Sequence, residues 1–174
     1  MENKRITCIT MLNEKSIKSI EKKVKGVGFD LCKVQYKENN RKEIDKLPSH
    51  ATVCVWKNGN KEEIKEFIKK IKMTNVKLKI IGTKIKKSYG DSFNIYFEFE
   101  ENNEFRKIQD IVYEYSKIEK YNPKTFVPHI TIHIDKDYSK ILMLQDYIMK
   151  NFKPFDVEFD HFGVYEIYPP VKIL

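Results

Sequence analysis

The sequence predicts an α+β fold built from two similar halves, and three observations support this prediction. Segments in which apolar and polar residues alternate, as in half-buried strands, are interspersed with segments that carry apolar residues at helical spacing. The same order of elements occurs twice: a strand that begins with His, a turn, a helix and two further strands. The opening strands of the two halves also share a short residue pattern. Such a repeat predicts two like halves related by a pseudo-two-fold axis.

In the first half, a buried strand from Arg5 to Leu12 precedes a helix that Asn13 can cap. The strand at 93–99 alternates aromatic and aliphatic residues with polar ones, which predicts one buried face. It could form an antiparallel hairpin with the strand before it. Five elements are predicted between the helix that Asn13 caps and the strand at 93–99. They are a short strand or irregular segment at 29–36, an exposed loop at 37–46, the first His strand as far as Trp56, a helix at 61–72 and a strand at 76–85.

In the second half, a helix begins at Asn102 and Asn103 and carries apolar residues at helical spacing as far as Ile118. Pro123 stops this helix, and the second His strand follows. The elements predicted after that strand are a helix through residues 141–148, a strand at 155–159, a separate strand at 165–168 and a short tail.

The size and composition fit a single domain, residues 1–174, with two lobes. Hydrophobic residues make up 41% of the chain and aromatic residues 13%, which is enough for a core and argues against global disorder. The net charge of +8 is compatible with a polyanionic partner such as RNA. However, the basic residues are nearly all Lys scattered among Glu, a pattern that solvated helix faces also produce.

The cysteines and the N-terminal region indicate a compartment. Cys8, Cys32 and Cys54 are an odd number without CxxC spacing, which argues against a disulfide framework or a zinc site and favours a reducing compartment. The apolar run from Ile6 to Leu12 is too short for a signal peptide or a membrane span. We therefore expect a cytoplasmic protein that does not associate with a membrane, and we take a monomer as the default state.

Two short stretches have the same pattern, His-x-Thr-aliphatic, each soon after a Pro: His50-Ala51-Thr52-Val53 and His129-Ile130-Thr131-Ile132. Side chains alternate between the two faces of a strand, so the His and the Thr of each stretch point the same way. A single His in a strand is usually a surface residue or a satisfied core residue. The chain has only four His, and two of them occur in the same frame. This coincidence favours a functional pair.

Two imidazoles, each with a pKa of about 6.5, can divide the acid and base roles near neutral pH. Hydrolysis of a cyclic phosphodiester needs such a pair, because one neutral ring takes a proton from water and one protonated ring donates to the leaving oxygen. The hydroxyls of Thr52 and Thr131 can donate hydrogen bonds to the equatorial oxygens of the transition state. This chemistry requires no metal and no other cofactor, and no cluster of carboxylates in the sequence suggests a metal site.

These two stretches resemble the paired H-x-[ST]-aliphatic signature of the 2H phosphoesterase superfamily, which includes 2′-5′ RNA ligase-like proteins and RNA 2′,3′-cyclic phosphodiesterases. The run from Phe126 to Ile132 is especially similar to the second motif. The resemblance implies a bilobal fold with two antiparallel sheets, flanked by helices around a central cleft. It also implies metal-independent hydrolysis of 2′,3′-cyclic phosphates on RNA ends or nucleotides, or related 2′-5′ cleavage or ligation. By this likeness His129 is the base and His50 the acid, with the reverse assignment left open.

The sequence departs from many of these relatives after the second motif, where they carry an Arg and this chain has Ile134. Lys120 and Lys124 are candidates to replace that Arg, as flexible point charges. The missing Arg keeps a second function open: a nucleotide-binding or RNA-binding protein of the same fold without turnover.

Three further side chains near the motifs are candidate site residues. Uninterrupted alternation puts His133 on the polar face of the second motif strand, where it either supports the site or meets solvent. The same alternation puts Trp56 on the polar face of the first motif strand. Phe126 and Trp56 are therefore candidates for stacking on a substrate base, with packing in the core as the alternative for both.

Overall fold

The structure is a computed structural model that describes residues 5–24, 49–57, 59–73, 75–88, 91–115, 127–167 and 171–174. In these ranges the chain forms four helices and a seven-stranded sheet, so the predicted α+β class is confirmed. The strands are β1 (Arg5–Leu12), β2 (His50–Lys57), β3 (Val76–Lys87), β4 (Phe93–Phe99), β5 (His129–Asp135), β6 (Phe155–Ile167) and β7 (Val171–Lys172). The helices are α1 (Glu14–Val24), α2 (Lys61–Lys70), α3 (Asn103–Tyr115) and α4 (Tyr138–Met149).

All four helices begin in the same way, with an Asn or Asp whose side-chain oxygen accepts hydrogen bonds from backbone N–H groups of the first turn. These capping residues are Asn13, Asn60, Asn102 and Asp137. Each helix then buries one apolar face, as its spacing predicts. The buried apolar residues include Ile20 and Val24 of α1, Ile64 and Ile68 of α2, Phe105 and Val112 of α3, and Ile141, Leu144 and Ile148 of α4.

The strands are all antiparallel, in the order β1-β2-β5-β4-β3-β6-β7, and β1 also pairs with β6. The predicted hairpin of β3 and β4 is confirmed. The prediction of two separate sheets is wrong, because the strands belong to a single hydrogen-bonded sheet. Two connections join the strands: β2 pairs with β5, and β6 pairs with β3 through its first residues and with β1 through the remainder.

The prediction of separate strands at 155–159 and 165–168 is also wrong, because β6 is continuous from Phe155 to Ile167. A shift in register explains the error. Phe159 lies opposite Leu12 and His161 lies opposite Met11, so Asp160 has no residue opposite it on β1. The buried core face therefore passes from odd-numbered to even-numbered residues along one strand, a change that in the sequence resembles a break.

The helices that contact the motif strands lie on the apolar face of the sheet. α3 packs against β2, and α4 packs against β3, β4 and β5. The expected tail includes the short strand β7, whose pairing with β6 was not predicted. The predictions for 29–36 and 37–46, and for the helix beyond Tyr115, fall outside the described residues. No helix within the described ranges is both long enough and apolar enough to cross a bilayer.

Candidate active site

The two strands that carry the His-x-Thr motifs are neighbours in the sheet. β2 and β5 are antiparallel, with Ala51 directly opposite Ile130, and both of these side chains are fully buried. Successive side chains point to opposite faces of a strand, so the residues on either side of this pair point away from the core. The residues that meet on this second face are His50, Thr52, His129 and Thr131.

Continuing the register by one residue in each direction sets His50 opposite Thr131 and Thr52 opposite His129. The two His residues are then diagonal neighbours, a relation in which the residues are about 7–8 Å apart. All four side chains are half-buried. This register therefore brings two imidazoles and two hydroxyls together on one face of the sheet.

The imidazole of His129 has a defined orientation. Its Nδ1 lies 2.9 Å from the backbone carbonyl oxygen of Val127, which accepts a hydrogen bond when that nitrogen carries the proton. The ring of Tyr96 packs against the imidazole with centroids 4.7 Å apart and planes at 50°. With Nδ1 donating to Val127, Nε2 is the nitrogen of the neutral ring that carries the lone pair and can accept a proton.

The surroundings lower the pKa of His129. Burial disfavours the charged ring and is the largest cause, while the hydrogen bond to Val127 raises the pKa and the positive charge of Lys86 lowers it. The net direction is downward from 6.5, so the ring is neutral at neutral pH. A neutral, oriented imidazole has the protonation state that a general base needs.

On the other side of β5, the polar face of β4 lies against His129 and Thr131. Glu98 is opposite His129, and Tyr96 is opposite Thr131. The amide Nδ2 of Asn94 donates to Oγ1 of Thr131 at 3.4 Å. The alternation of β4 reveals this polar face in the sequence, but does not reveal that β5 is its neighbour.

Two lysines of β3 extend the same face. Lys84 is opposite Tyr96 and forms an ion pair with Glu98, and Lys86 is opposite Asn94. Beside β2, by contrast, the face is apolar. Met11 of β1 lies opposite His50 and Ile9 lies opposite Thr52, and these two form a small buried cluster with Tyr165 of β6. We call His129 and Thr131, with the polar residues of β4 and β3 next to them, the β5 side of the site. We call His50 and Thr52, with the apolar residues next to them, the β2 side.

The chain matches no protein-family model and no curated protein sequence. It is similar in structure to Usb1 from Kluyveromyces marxianus, with a TM-score of 0.52 and 11% sequence identity over 99% of this chain and 98% of that one. A second structure of the same protein, with uridine monophosphate, gives a TM-score of 0.56 at 11% identity over the same shares of the two chains. At this identity the likeness shows a shared fold.

Both motif strands are interrupted at the same position by a β-bulge. On β2, Thr52 is opposite Ile9 and Cys54 is opposite Cys8, so Val53 has no residue opposite it on β1. On β5, Thr131 is opposite Tyr96 and His133 is opposite Ile95, so Ile132 has none on β4. The unopposed residue is the fourth of each motif, and the alternation of faces reverses beyond it.

This reversal corrects the predicted position of Trp56. Its side chain is fully buried in the main core and lies opposite the core residue Ile6. The bulge at Val53 turns it to the same face as Ala51, away from His50. Trp56 therefore packs in the core and cannot stack on a substrate base.

The same reversal corrects the predicted position of His133. It lies opposite Ile95, a fully buried residue of the core face, and not on the face of His129. Its Nε2 is 3.7 Å from Oδ2 of Asp135, which is in turn 3.8 Å from Nζ of Lys140 on α4. His133 thus lies beside the ion pair of Asp135 and Lys140 on the helix-covered face.

Three residues named from the sequence, Phe126, Lys120 and Lys124, fall outside the described residues. Within the described part of the chain, no group of three or more His, Cys, Asp and Glu side chains is arranged to hold a metal ion. The sequence predictions did not include Tyr96, Asn94 or the two β3 lysines as members of the site.

Proposed function

We propose that the protein is a metal-independent phosphoesterase of the 2H superfamily. We propose that it hydrolyses 2′,3′-cyclic phosphates on RNA ends or nucleotides, or catalyses related 2′-5′ cleavage or ligation. The observation that carries this proposal is the register of β2 and β5, in which Ala51 is opposite Ile130. That register supports a site with two imidazoles and two hydroxyls around one phosphate.

We assign the base role to His129. Its Nε2 takes a proton from water while the water oxygen forms a bond to phosphorus. Three observations support this role: the Nδ1–Val127 hydrogen bond, the contact with Tyr96 and the lowered pKa of the ring. All three favour a neutral ring with a fixed acceptor nitrogen.

We assign the acid role to His50, which lies across the strand pair from the base. As the bond between phosphorus and one ribose oxygen breaks, protonated His50 donates to that oxygen and the product is a phosphomonoester. After this step His129 is protonated and His50 is neutral. Proton exchange with solvent returns both rings to their starting states. Thr52 and Thr131 donate hydrogen bonds to the equatorial oxygens, on which negative charge develops.

Two further observations support a nucleotide or RNA substrate. The similar structure of Usb1 contains uridine monophosphate, and the chain carries a net charge of +8. RNA is a polyanion and nucleotides are anions, and a basic protein attracts both.

We also propose that the two halves are a duplication, as the sequence predicts. The support is the equivalent bulge at Val53 and Ile132, together with the shared motif. A bulge is a specific local feature, and its recurrence at the fourth motif position is more readily explained by common origin than by chance.

The proposal is tested by turnover of 2′,3′-cyclic uridine monophosphate and of RNA with a 2′,3′-cyclic end, in the presence of EDTA. We expect turnover by the wild type and near-complete loss in His50→Ala and in His129→Ala, because each removes one proton-transfer group. The matched control is His133→Ala, which removes a half-buried imidazole from the same strand but from the opposite face. We expect the control to keep its rate within about twofold.

The other candidate, a nucleotide-binding protein without turnover, predicts a different outcome. The observation in its favour is Ile134 at the place where many 2H relatives carry an Arg. It predicts measurable binding of uridine monophosphate, with no hydrolysis of any cyclic or 2′-5′ substrate above the rate of the double variant His50→Ala/His129→Ala. Wild-type rates in either single variant would contradict the two-His mechanism.

A further inference from the structure

The β5 side of the site contains a polar acceptor that no described residue satisfies. Asn94 donates through Nδ2 to Oγ1 of Thr131 at 3.4 Å. Its Oδ1 is buried and has no hydrogen-bond partner within the described part of the chain. A buried acceptor of this kind is normally satisfied, so Asn94 keeps the capacity to accept one further hydrogen bond.

The hydrogen bond from Asn94 sets the direction of the Thr131 hydroxyl. Because Oγ1 accepts from the amide, its own hydrogen is available to donate elsewhere. The face on which Thr131 lies also carries His129, so that hydrogen can reach a phosphoryl oxygen held between the two rings. Asn94 is in this sense a positioning residue for Thr131.

Lys86 supplies a positive charge next to this pair of side chains. It lies directly opposite Asn94 on β3, and it is exposed. Its positive charge lowers the pKa of His129, because it disfavours the protonated ring. The other lysine on this face, Lys84, is neutralised by Glu98. In the described ranges no carboxylate forms an ion pair with Lys86, so its charge remains available to an anion.

From these contacts we infer that Lys86, Asn94 and Thr131 form the phosphate-binding subsite, with Lys86 supplying the cation that an Arg supplies in many 2H relatives. The inference rests on the proposed function and names the part of the site that holds the phosphate. The ligand class is a nucleotide phosphomonoester or cyclic phosphodiester. Lys86 attracts its charge, and Thr131 donates to one of its oxygens.

The first test compares Lys86→Ala with Lys87→Ala by titration calorimetry, using uridine 3′-monophosphate and, separately, uridine. The two variants lose the same charge from adjacent positions of one strand, but Lys87 lies opposite Phe93 and points to the other face. We expect Lys86→Ala to weaken the monophosphate about tenfold. Lys87→Ala should stay within about twofold, and uridine binding should not change in either variant. Equal affinities in the two lysine variants would overturn the inference.

A second measurement does not depend on turnover. In an NMR titration, Lys86→Ala should raise the pKa of His129, because a nearby positive charge has been removed. Lys87→Ala should leave that pKa where it is. An unchanged His129 titration in Lys86→Ala would contradict the position that we infer for this lysine.

The role of Asn94 is tested by a double-mutant cycle with Thr131. We expect Asn94→Ala to lower kcat about tenfold in the wild-type background and to have no further effect in Thr131→Ala. A purely structural role would lower kcat by the same factor in both backgrounds, which would overturn the inference for Asn94.

These tests separate the failure of the inference from the failure of the proposed function. A wild type that binds no uridine 3′-monophosphate and hydrolyses no substrate overturns both. A wild type that does both, together with a Lys86→Ala variant that behaves as Lys87→Ala does, overturns the subsite alone.

Discussion

The two sides of the site share a four-residue motif and a bulge at its fourth position, but their neighbouring strands differ. The β5 side lies against the polar face of β4, with Asn94 bonded to Thr131 and Tyr96 packed on His129. The β2 side lies against the apolar cluster of Ile9, Met11 and Tyr165. Similar motif strands have thus acquired different chemistry from the strands beside them. The asymmetry favours a division of labour, with the base and the phosphate contacts on the β5 side.

The largest effect should come from the imidazoles, and the pH dependence should distinguish them. Loss of either ring should lower kcat/KM by about 10²–10⁴-fold. In the wild type, the acidic limb should lie below pH 6.5, because burial lowers the pKa of His129 and the base must be neutral. His129→Ala should abolish that limb in the residual activity, and His50→Ala should retain it. The reverse result would exchange the two roles.

Trp56 provides the next largest effect, on stability and not on binding. Trp56→Ala should lower the free energy of unfolding by about 3–5 kcal/mol, because it removes a fully buried aromatic side chain. Chemical denaturation measures this change. In case the Ala variant does not fold, Trp56→Phe serves for the binding measurement and should leave the affinity for uridine 3′-monophosphate unchanged. A weaker affinity in that variant would restore a stacking role.

The hydroxyls should show the difference between the sides directly. Thr131→Val should lower kcat about 10²-fold, the typical loss of one oriented donor to a developing negative charge. Thr52→Val should lower it less, because Thr52 lies opposite the apolar Ile9 whereas Asn94 orients Thr131. Steady-state kinetics at saturating substrate compares the two variants. An equal loss of kcat in the two variants would mean that the hydrogen bond from Asn94 does not make Thr131 a better donor than Thr52.

The smallest effect concerns the apolar support of the β2 side. A Cβ added at Gly163 would lie 2.8 Å from Cε of Met11 and 2.9 Å from a ring carbon of Tyr165. Gly163→Ala should therefore destabilise the protein by about 1–3 kcal/mol through overpacking. Gly82→Ala is the control, since nothing lies within 4 Å of the added atom. Equal thermal stability of the two variants would contradict this account of the cluster.

The sequence was sufficient to predict most of the elements, because capping residues and apolar spacing are local signals. It also predicted that the His and the Thr of each motif share a face, since all four residues precede the bulges, but it did not predict that the two motif strands are neighbours in one sheet. It assigned Trp56 and His133 to the wrong face of their strands. Both follow a bulge, and no local sequence pattern indicates the extra residue. A bulge depends on how the partner strand pairs, which is a tertiary property.

The residues of β4 that contact the motif residues could not be predicted from the sequence, for a related reason. The polar side chains of β4 are visible as an alternating pattern, but that pattern does not state which strand lies alongside. The contact between Asn94 and Thr131 joins residues 37 positions apart in the chain. The continuity of β6 was missed because the shift at Asp160 looks like a break in a single sequence.

The continuity of β6 has a mechanical consequence. Its first residues are hydrogen-bonded to β3 and its later residues to β1. One uninterrupted backbone therefore connects the strands that support β5 with the strand that supports β2. Swinging one of these supports away from the other would require bending that backbone or breaking its ladder. The spacing of the two motif strands is therefore set by the backbone of the sheet itself.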